Sequence, residues 1–81
     1  MPDDSTVARR ELLLGALEKY AREGKLQLFR TAEWILVHGV AEADTIAEAQ
    51  ARMAPADVAR WNAARNAMFE QVLGHLDVSP S

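Results

Sequence analysis

The residues in this sequence best suited to metal binding or acid–base chemistry are its two histidines, His38 and His75. They lie far apart in the chain, near the predicted ends of two helices, and neither belongs to a His-Glu-x-x-His motif. A metal site at the first would need acidic ligands, and the nearest in sequence are Glu33, Glu42 and Asp44. Because a helix C-terminus stabilises a cationic histidine without any catalytic role, we expect both histidines to be structural and no metal to be bound.

Glu33 is the other candidate for acid–base chemistry, because it lies between Ala32 and Trp34 in an apolar stretch. A glutamate at the edge of an apolar helix face usually meets solvent or pairs with an arginine, and Arg30, three residues earlier, is placed to pair with it. The chain has no Gly-x-Ser-x-Gly turn, and its glycines do not have the spacing of a phosphate loop. We therefore expect a protein that is not an enzyme and that binds no cofactor and no small-molecule substrate.

The composition indicates one small helical domain spanning residues 1–81, with short flexible ends at 1–4 and 77–81. Alanine is abundant and no alternating strand pattern occurs, which favours helix. The 81 residues include no cysteine and carry a net charge of -3, which excludes disulfides and does not favour nucleic acid as a partner. The N-terminus is acidic, unlike that of a signal peptide, so we expect a cytoplasmic protein with no membrane partner.

Local signals divide the chain into a small all-α bundle of about four helices, at roughly 5–23, 26–38, 45–53 and 55–76. Gly24 and Gly39 would end the first two helices, because glycine readily takes the left-handed conformation found at helix C-termini. Thr45 and Glu48 have the spacing of a capping box at the start of the third helix. Pro55 suits the first position of the fourth helix, and the alternative is a single kinked helix over residues 45–76.

The most apolar stretch of the chain, residues 26–40, is predicted to be the central helix of the bundle. Leu28 and Ile35 would lie on its buried side. Phe29 and Trp34 are five positions apart, which is about 140° around a helix. They cannot both face the same neighbouring helix, so one of them should face outward.

Residues 45–53 followed by residues 55–61 resemble the helix-turn-helix core of small transcriptional regulators, in which a short alanine-rich helix precedes a recognition helix. The resemblance implies a DNA-binding regulator in which Arg60, Asn62 and Arg65 contact base edges or phosphates. The turn between the two helices is short and lacks the glycine that such motifs usually carry. DNA binding is therefore the alternative interpretation.

Large apolar side chains outnumber what one small core can bury, because several of them lie on different helix faces. Apolar surface left exposed on a small domain usually marks a partner site. The leading interpretation is a protein-interaction module, such as an adaptor, a chaperone-like subunit or an inhibitor, that binds a protein partner or a second copy of itself as a homodimer. The residues predicted to form this interface are Leu12, Leu26, Phe29, Trp34 and Phe69.

Overall fold

The computed structural model describes the backbone of residues 4–76 and the side chains of residues 5–74. Within this range the chain forms α1 (Asp4–Glu23), α2 (Leu26–Trp34), a π-helical segment (Ile35–Val40) that continues α2 directly, α3 (Ile46–Ala51) and α4 (Pro55–Leu76). The predicted all-α bundle of about four helices is confirmed. The flexible ends predicted at 1–4 and 77–81, and the side chain of His75, lie outside the described residues, apart from the backbone of Asp4, which begins α1.

α2 and α4 both pack on α1, whereas α3 packs on the π-helical segment, so the prediction that residues 26–40 are the central element on which all the other helices pack is wrong. Both α4 and α2 pack along α1, and the π-helical segment extends the contact with α2. Leu14 and Leu17 on the inward face of α1 are completely buried. Residues 26–40 are not enclosed as their composition suggested, because Leu28 and Trp34 are exposed.

The core takes residues at helical spacing from each helix, and Trp61 of α4 is its largest fully buried side chain. On α2 and the π-helical segment the inward positions are Phe29, Ala32 and Leu36. The prediction that Leu28 faces inward is wrong, because the buried face is rotated by one position from the one that the sequence suggested. The buried side chains of the core are Leu14, Leu17, Ala21, Phe29, Ala32, Leu36, Val37, Ala43, Ala49, Met53, Trp61, Ala64 and Met68.

The end of α1 lies at Gly24, as predicted, and its φ of 68° is in the left-handed region that glycine tolerates. The N–H of Lys25 donates to the carbonyl of Tyr20 at 2.9 Å, and the N–H of Gly24 donates to the carbonyl of Ala21 at 3.3 Å. These are the two hydrogen bonds of a Schellman motif, which satisfies the last carbonyls of a helix. The turn reverses the chain so that α2 packs against α1.

Gly39 was predicted to end the helix that begins with α2. That helix instead continues through Gly39 to Val40, and its last turns widen into the π-helical segment. The N–H of Ala41 donates at 3.0 Å to the carbonyl of Leu36, five residues back, which is the hydrogen-bond pattern of a π-helix. The left-handed residue is instead Glu42, with a φ of 52°. The guanidinium of Arg52 donates to the carbonyls of Ala41 and Glu42, and these hydrogen bonds hold the reversal without a glycine.

The start of α3 carries the predicted cap, since Thr45 Oγ1 accepts a hydrogen bond from the N–H of Glu48 at 3.1 Å. The carboxylate of Glu48 accepts from the N–H of Asp44 at 3.2 Å rather than from that of Thr45, so the second half of the capping box is not formed. Pro55 is the first residue of α4, where a missing N–H removes no helical hydrogen bond. α3 and α4 are therefore separate helices, and the alternative of one kinked helix is wrong.

Candidate protein-interaction groove

Glu33 and Trp61 join α2 to α4 at the edge of the core. The indole Nε1 of Trp61 donates a hydrogen bond to Glu33 Oε2 at 2.8 Å, and Arg65 Nε lies 3.4 Å from the same oxygen. The Glu33 side chain is 13% exposed, so these contacts replace most of its hydration. The sequence predicted Arg30 of the same helix as the ion-pair partner of Glu33. The observed partner is Arg65, which only the packing of α4 beside α2 brings into reach.

An apolar groove opens between α2 and α4 beside this pair, with a volume of about 170 Å³. Its floor is formed by Phe29 and Met68, both buried, and its rims by Leu26 and Phe69, both exposed. We refer to it as the α2/α4 groove. The residues that line it are Leu26, Phe29, Arg30, Glu33, Arg65, Met68 and Phe69.

Two arginines, one on each rim, give the α2/α4 groove a net positive charge. The guanidinium carbon of Arg65 lies 5.6 Å from the centroid of the Phe69 ring, within the range of a cation–π contact. Arg30, on the opposite rim, is exposed and forms no ion pair among the described side chains. Because Glu33 already accepts from Trp61 and pairs with Arg65, one positive charge at the groove is left without a carboxylate.

Exposed apolar side chains extend this surface beyond the groove on both helices. Leu73 lies one helical turn after Phe69 on α4 and is exposed. Trp34 lies one turn after Arg30 on α2, and its ring is 4.8 Å from that of His38. Leu73 was not among the residues predicted for a protein interface, although its spacing of four residues from Phe69 indicates that the two share a helix face.

Of the five residues predicted for a protein interface, three line the α2/α4 groove: Leu26, Phe29 and Phe69. Trp34 is 63% exposed and lines a neighbouring depression that also includes Arg30. Phe29 is 3% exposed and packs into the core, so it contributes only the floor of the groove and does not project from the surface. The expectation that either Phe29 or Trp34 faces outward is confirmed, and the outward residue is Trp34.

Leu12, the fifth predicted residue, does not belong to this surface. It is 74% exposed, but it lies two residues from the buried Leu14 and therefore on the opposite face of α1. An isolated exposed leucine on a helix is common and needs no partner to explain it.

Arg60, one of the three residues predicted to contact DNA, is held between two carboxylates of α1. Its Nε and Nη2 donate to the two carboxylate oxygens of Glu18 at 3.1 and 2.8 Å, and its Nη1 donates to Glu11 at 2.6 Å. The hydrogen bonds from Arg60 hold the pKa of Glu18 below its ordinary value, and those to Glu18 and Glu11 raise the pKa of Arg60. This guanidinium fastens α4 to α1.

The other two predicted DNA contacts are also engaged with neighbouring side chains. Asn62 accepts a hydrogen bond from Gln50 of α3 at 2.9 Å, which joins α3 to α4. Arg65 pairs with Glu33 and lies over the Phe69 ring. The structure therefore does not bring Arg60, Asn62 and Arg65 together as free donors on one exposed face.

Among the described side chains, those of residues 5–74, no three of the types His, Cys, Asp and Glu are grouped to hold an ion. His38 is exposed and lies against Trp34 rather than against a carboxylate. In the same part of the chain, every helix is too short or too polar to cross a membrane.

No protein-family model, no curated protein and no solved structure matches this chain. The fold and the site define a class by themselves: a small all-α domain with an apolar groove between two helices. Any function assigned to it depends on the burial, contacts and charges of the described residues.

Proposed function

We propose that this chain is a non-enzymatic protein-interaction module that binds a protein partner through the α2/α4 groove. The observation that carries the proposal is the exposure of Leu26 and Phe69 on the rims of one groove, with the exposed Leu73 one helical turn beyond Phe69. Burial of apolar surface against a partner is favourable by about 25 cal/mol per Å². An adaptor, a chaperone-like subunit or an inhibitor working in the cytoplasm would use such a surface.

The types of side chain at the groove suit the centre of a protein interface. Aromatic residues and arginine are enriched there, because each removes much apolar surface from water while keeping a polar or cationic group for a specific contact. Phe69 and Trp34 are the exposed aromatic side chains of α4 and α2, and Arg30 and Arg65 lie beside them.

The groove also has a rigid base, which favours binding. Phe29 and Met68 in its floor are fixed in the core, and the Trp61–Glu33 hydrogen bond holds α2 and α4 at a defined separation. A surface that is already ordered before the partner arrives loses less conformational entropy on association.

A DNA-binding regulator is the alternative, and fewer observations support it. Phosphate binding needs cationic groups that are free to replace counterions. Arg60 is bound by Glu11 and Glu18, Arg65 is bound by Glu33, and the net charge of the chain is -3. DNA would have to compete with these ion pairs for both arginines.

The proposal is tested by affinity capture from native lysate with three versions of the chain: wild type, Phe69→Asp and Leu12→Glu. Leu12→Glu is the matched control, since it also replaces an exposed large apolar residue with an acid but lies on the opposite face of α1. We expect the wild type and Leu12→Glu to capture the same proteins and Phe69→Asp to lose them. Nuclease treatment and high salt should leave the capture unchanged, because an apolar interface responds weakly to salt.

Circular dichroism should show equal helicity for the three versions, so that loss of capture reports on the surface. Capture that disappears with nuclease would favour the DNA-binding alternative. If Leu12→Glu abolished capture and Phe69→Asp did not, the binding surface would lie on the outer face of α1 and the proposal would be wrong.

A further inference from the structure

α3 packs on the π-helical segment, which follows Glu33 along the chain, and reaches α4 through the hydrogen bond from Gln50 to Asn62. The α2/α4 groove lies away from α3, since its residues on α2 lie at or before Glu33 and its residues on α4 follow Trp61. Among the described residues only those of α2 and α4 line the groove, so no other described helix fills it.

The charge of the groove restricts what can fill it. Arg30 and Arg65 stand on opposite rims, and the one carboxylate that lines the groove, Glu33, is already paired. A second copy of this chain is a poor occupant, because a two-fold contact of groove on groove places each patch against itself and brings like charges together. A partner with an acidic group beside its apolar residues complements the surface.

We propose that the α2/α4 groove binds an amphipathic, acidic helix of another protein. Its apolar side chains lie between Leu26 and Phe69, and a carboxylate at the edge of its apolar stripe pairs with Arg30. The inference rests on the proposed function and deepens it by naming the chemistry of the partner. An apolar stripe at i, i+3, i+4 and i+7 of such a helix fits a groove between two helices.

The probe is a displayed library of helices about 14 residues long, which is roughly four turns. The apolar stripe is fixed, and the positions flanking it are randomised among Glu, Gln and Lys. The library is selected on the full 81-residue chain. Wild type, Phe69→Asp, Arg30→Gln, Arg30→Glu and the control Arg9→Glu serve as separate baits. Arg9 is an exposed arginine of α1 that is not among the residues lining the groove, so its reversal changes the net charge equally.

On wild type and on Arg9→Glu we expect enrichment of helices with Glu at one flank of the stripe. Arg30→Gln should remove that preference, Arg30→Glu should reverse it to Lys, and Phe69→Asp should enrich nothing. For one selected helix, Arg30→Gln should raise Kd about fivefold at low salt, as expected for loss of a partly exposed ion pair. The difference should shrink as salt rises.

Equal enrichment of Glu and Lys on wild type, an unchanged preference on Arg30→Glu, or no enrichment at all would overturn the inference. Light scattering then decides whether the proposed function falls with it. A dimer that Phe69→Asp dissociates and Leu12→Glu leaves intact would make a second copy the occupant and keep the interaction function. If the chain is a monomer and Phe69→Asp captures the same proteins as the wild type, both the inference and the proposed function are wrong.

Discussion

Trp61 donates its indole N–H to Glu33 Oε2 at 2.8 Å, and this hydrogen bond fixes α4 beside α2. The indole is completely buried, so water does not reach Nε1 in the folded chain. The same carboxylate oxygen lies 3.4 Å from Arg65 Nε, which orients the arginine along one rim of the groove. One glutamate therefore contacts both the core and the side of the α2/α4 groove.

Glu33→Ala should destabilise the fold by about 1–3 kcal/mol, because it leaves the buried indole N–H without an acceptor. Glu33→Gln keeps a carbonyl oxygen at that place and should cost less. Urea denaturation followed by the fluorescence of the tryptophans measures both. Equal midpoints for Glu33→Ala and wild type would show that the hydrogen bond contributes nothing to stability.

Ile35 and Leu36 are successive residues with different burial, so replacing each by alanine should lower the free energy of unfolding by different amounts. Leu36 is 0% exposed, whereas Ile35 is only half-buried. Leu36→Ala should cost about 2–5 kcal/mol, the range for large-to-small changes in close-packed cores, and Ile35→Ala should cost less. Chemical denaturation of the two variants side by side checks the order. A larger loss for Ile35→Ala would contradict the inward face assigned to the π-helical segment.

Gly24 and Gly15 should respond to alanine with opposite signs. Gly24 has a φ of 68°, and an L-residue there costs about 1–2 kcal/mol. Gly15 lies within α1, and a Cβ added there meets nothing within 4 Å, so Gly15→Ala should stabilise the helix by about 0.5–1 kcal/mol. Thermal unfolding by circular dichroism compares the two. A stabilised Gly24→Ala would mean that α1 does not end in this turn.

Stability should fall in acid partly through Glu18. Its pKa is lowered in the folded chain by hydrogen bonds from Arg60, so the carboxylate stabilises the fold fully above the ordinary pKa of 4.5. That contribution is lost as the pH falls through the lowered value. Because both side chains are about one-third exposed, we expect less than about 1 kcal/mol.

The measurement for Glu18 is the urea midpoint at about pH 7 and about pH 3, on either side of the ordinary carboxyl range. Glu18→Gln should show a smaller drop between the two than wild type. Glu70→Gln is the control, since Glu70 is exposed and forms no ion pair among the described side chains. Parallel pH profiles for wild type and Glu18→Gln would contradict the role of the Arg60 contact.

The features of the fold that the sequence predicted correctly are those decided within one helical turn. Gly24 ends α1 because a glycine reaches the left-handed region more easily than any other residue. Pro55 begins α4 because of its own missing N–H, and Thr45 caps α3 with its own hydroxyl. Gly39 predicted a helix end in the same way as Gly24, and that prediction was wrong. Hydrogen bonds from Arg52, which is distant in sequence, place the reversal of the chain at Glu42 instead.

The candidate site was predictable only in part, because a groove depends on the relative placement of two helices. Spacing along α2 showed that either Phe29 or Trp34 must face outward, but only the position of α1 decides which. The contacts of Glu33 with Trp61 and Arg65 join α2 to α4, and no local sequence pattern predicts them. Leu12 was indistinguishable by residue type from Leu26, and only the fold separates them.

The π-helical segment lets the chain hold one more residue than an α-helix would hold in the same space. Hydrogen bonds that reach five residues back hold more residues per turn than those of an α-helix, so Ile35–Val40 accommodates the equivalent of a one-residue insertion. Two consecutive side chains, Leu36 and Val37, are both buried there. The wide turn accommodates the additional residue within the π-helical segment. Residues of α2 before it therefore keep their faces toward α1, and the segment itself packs on α3.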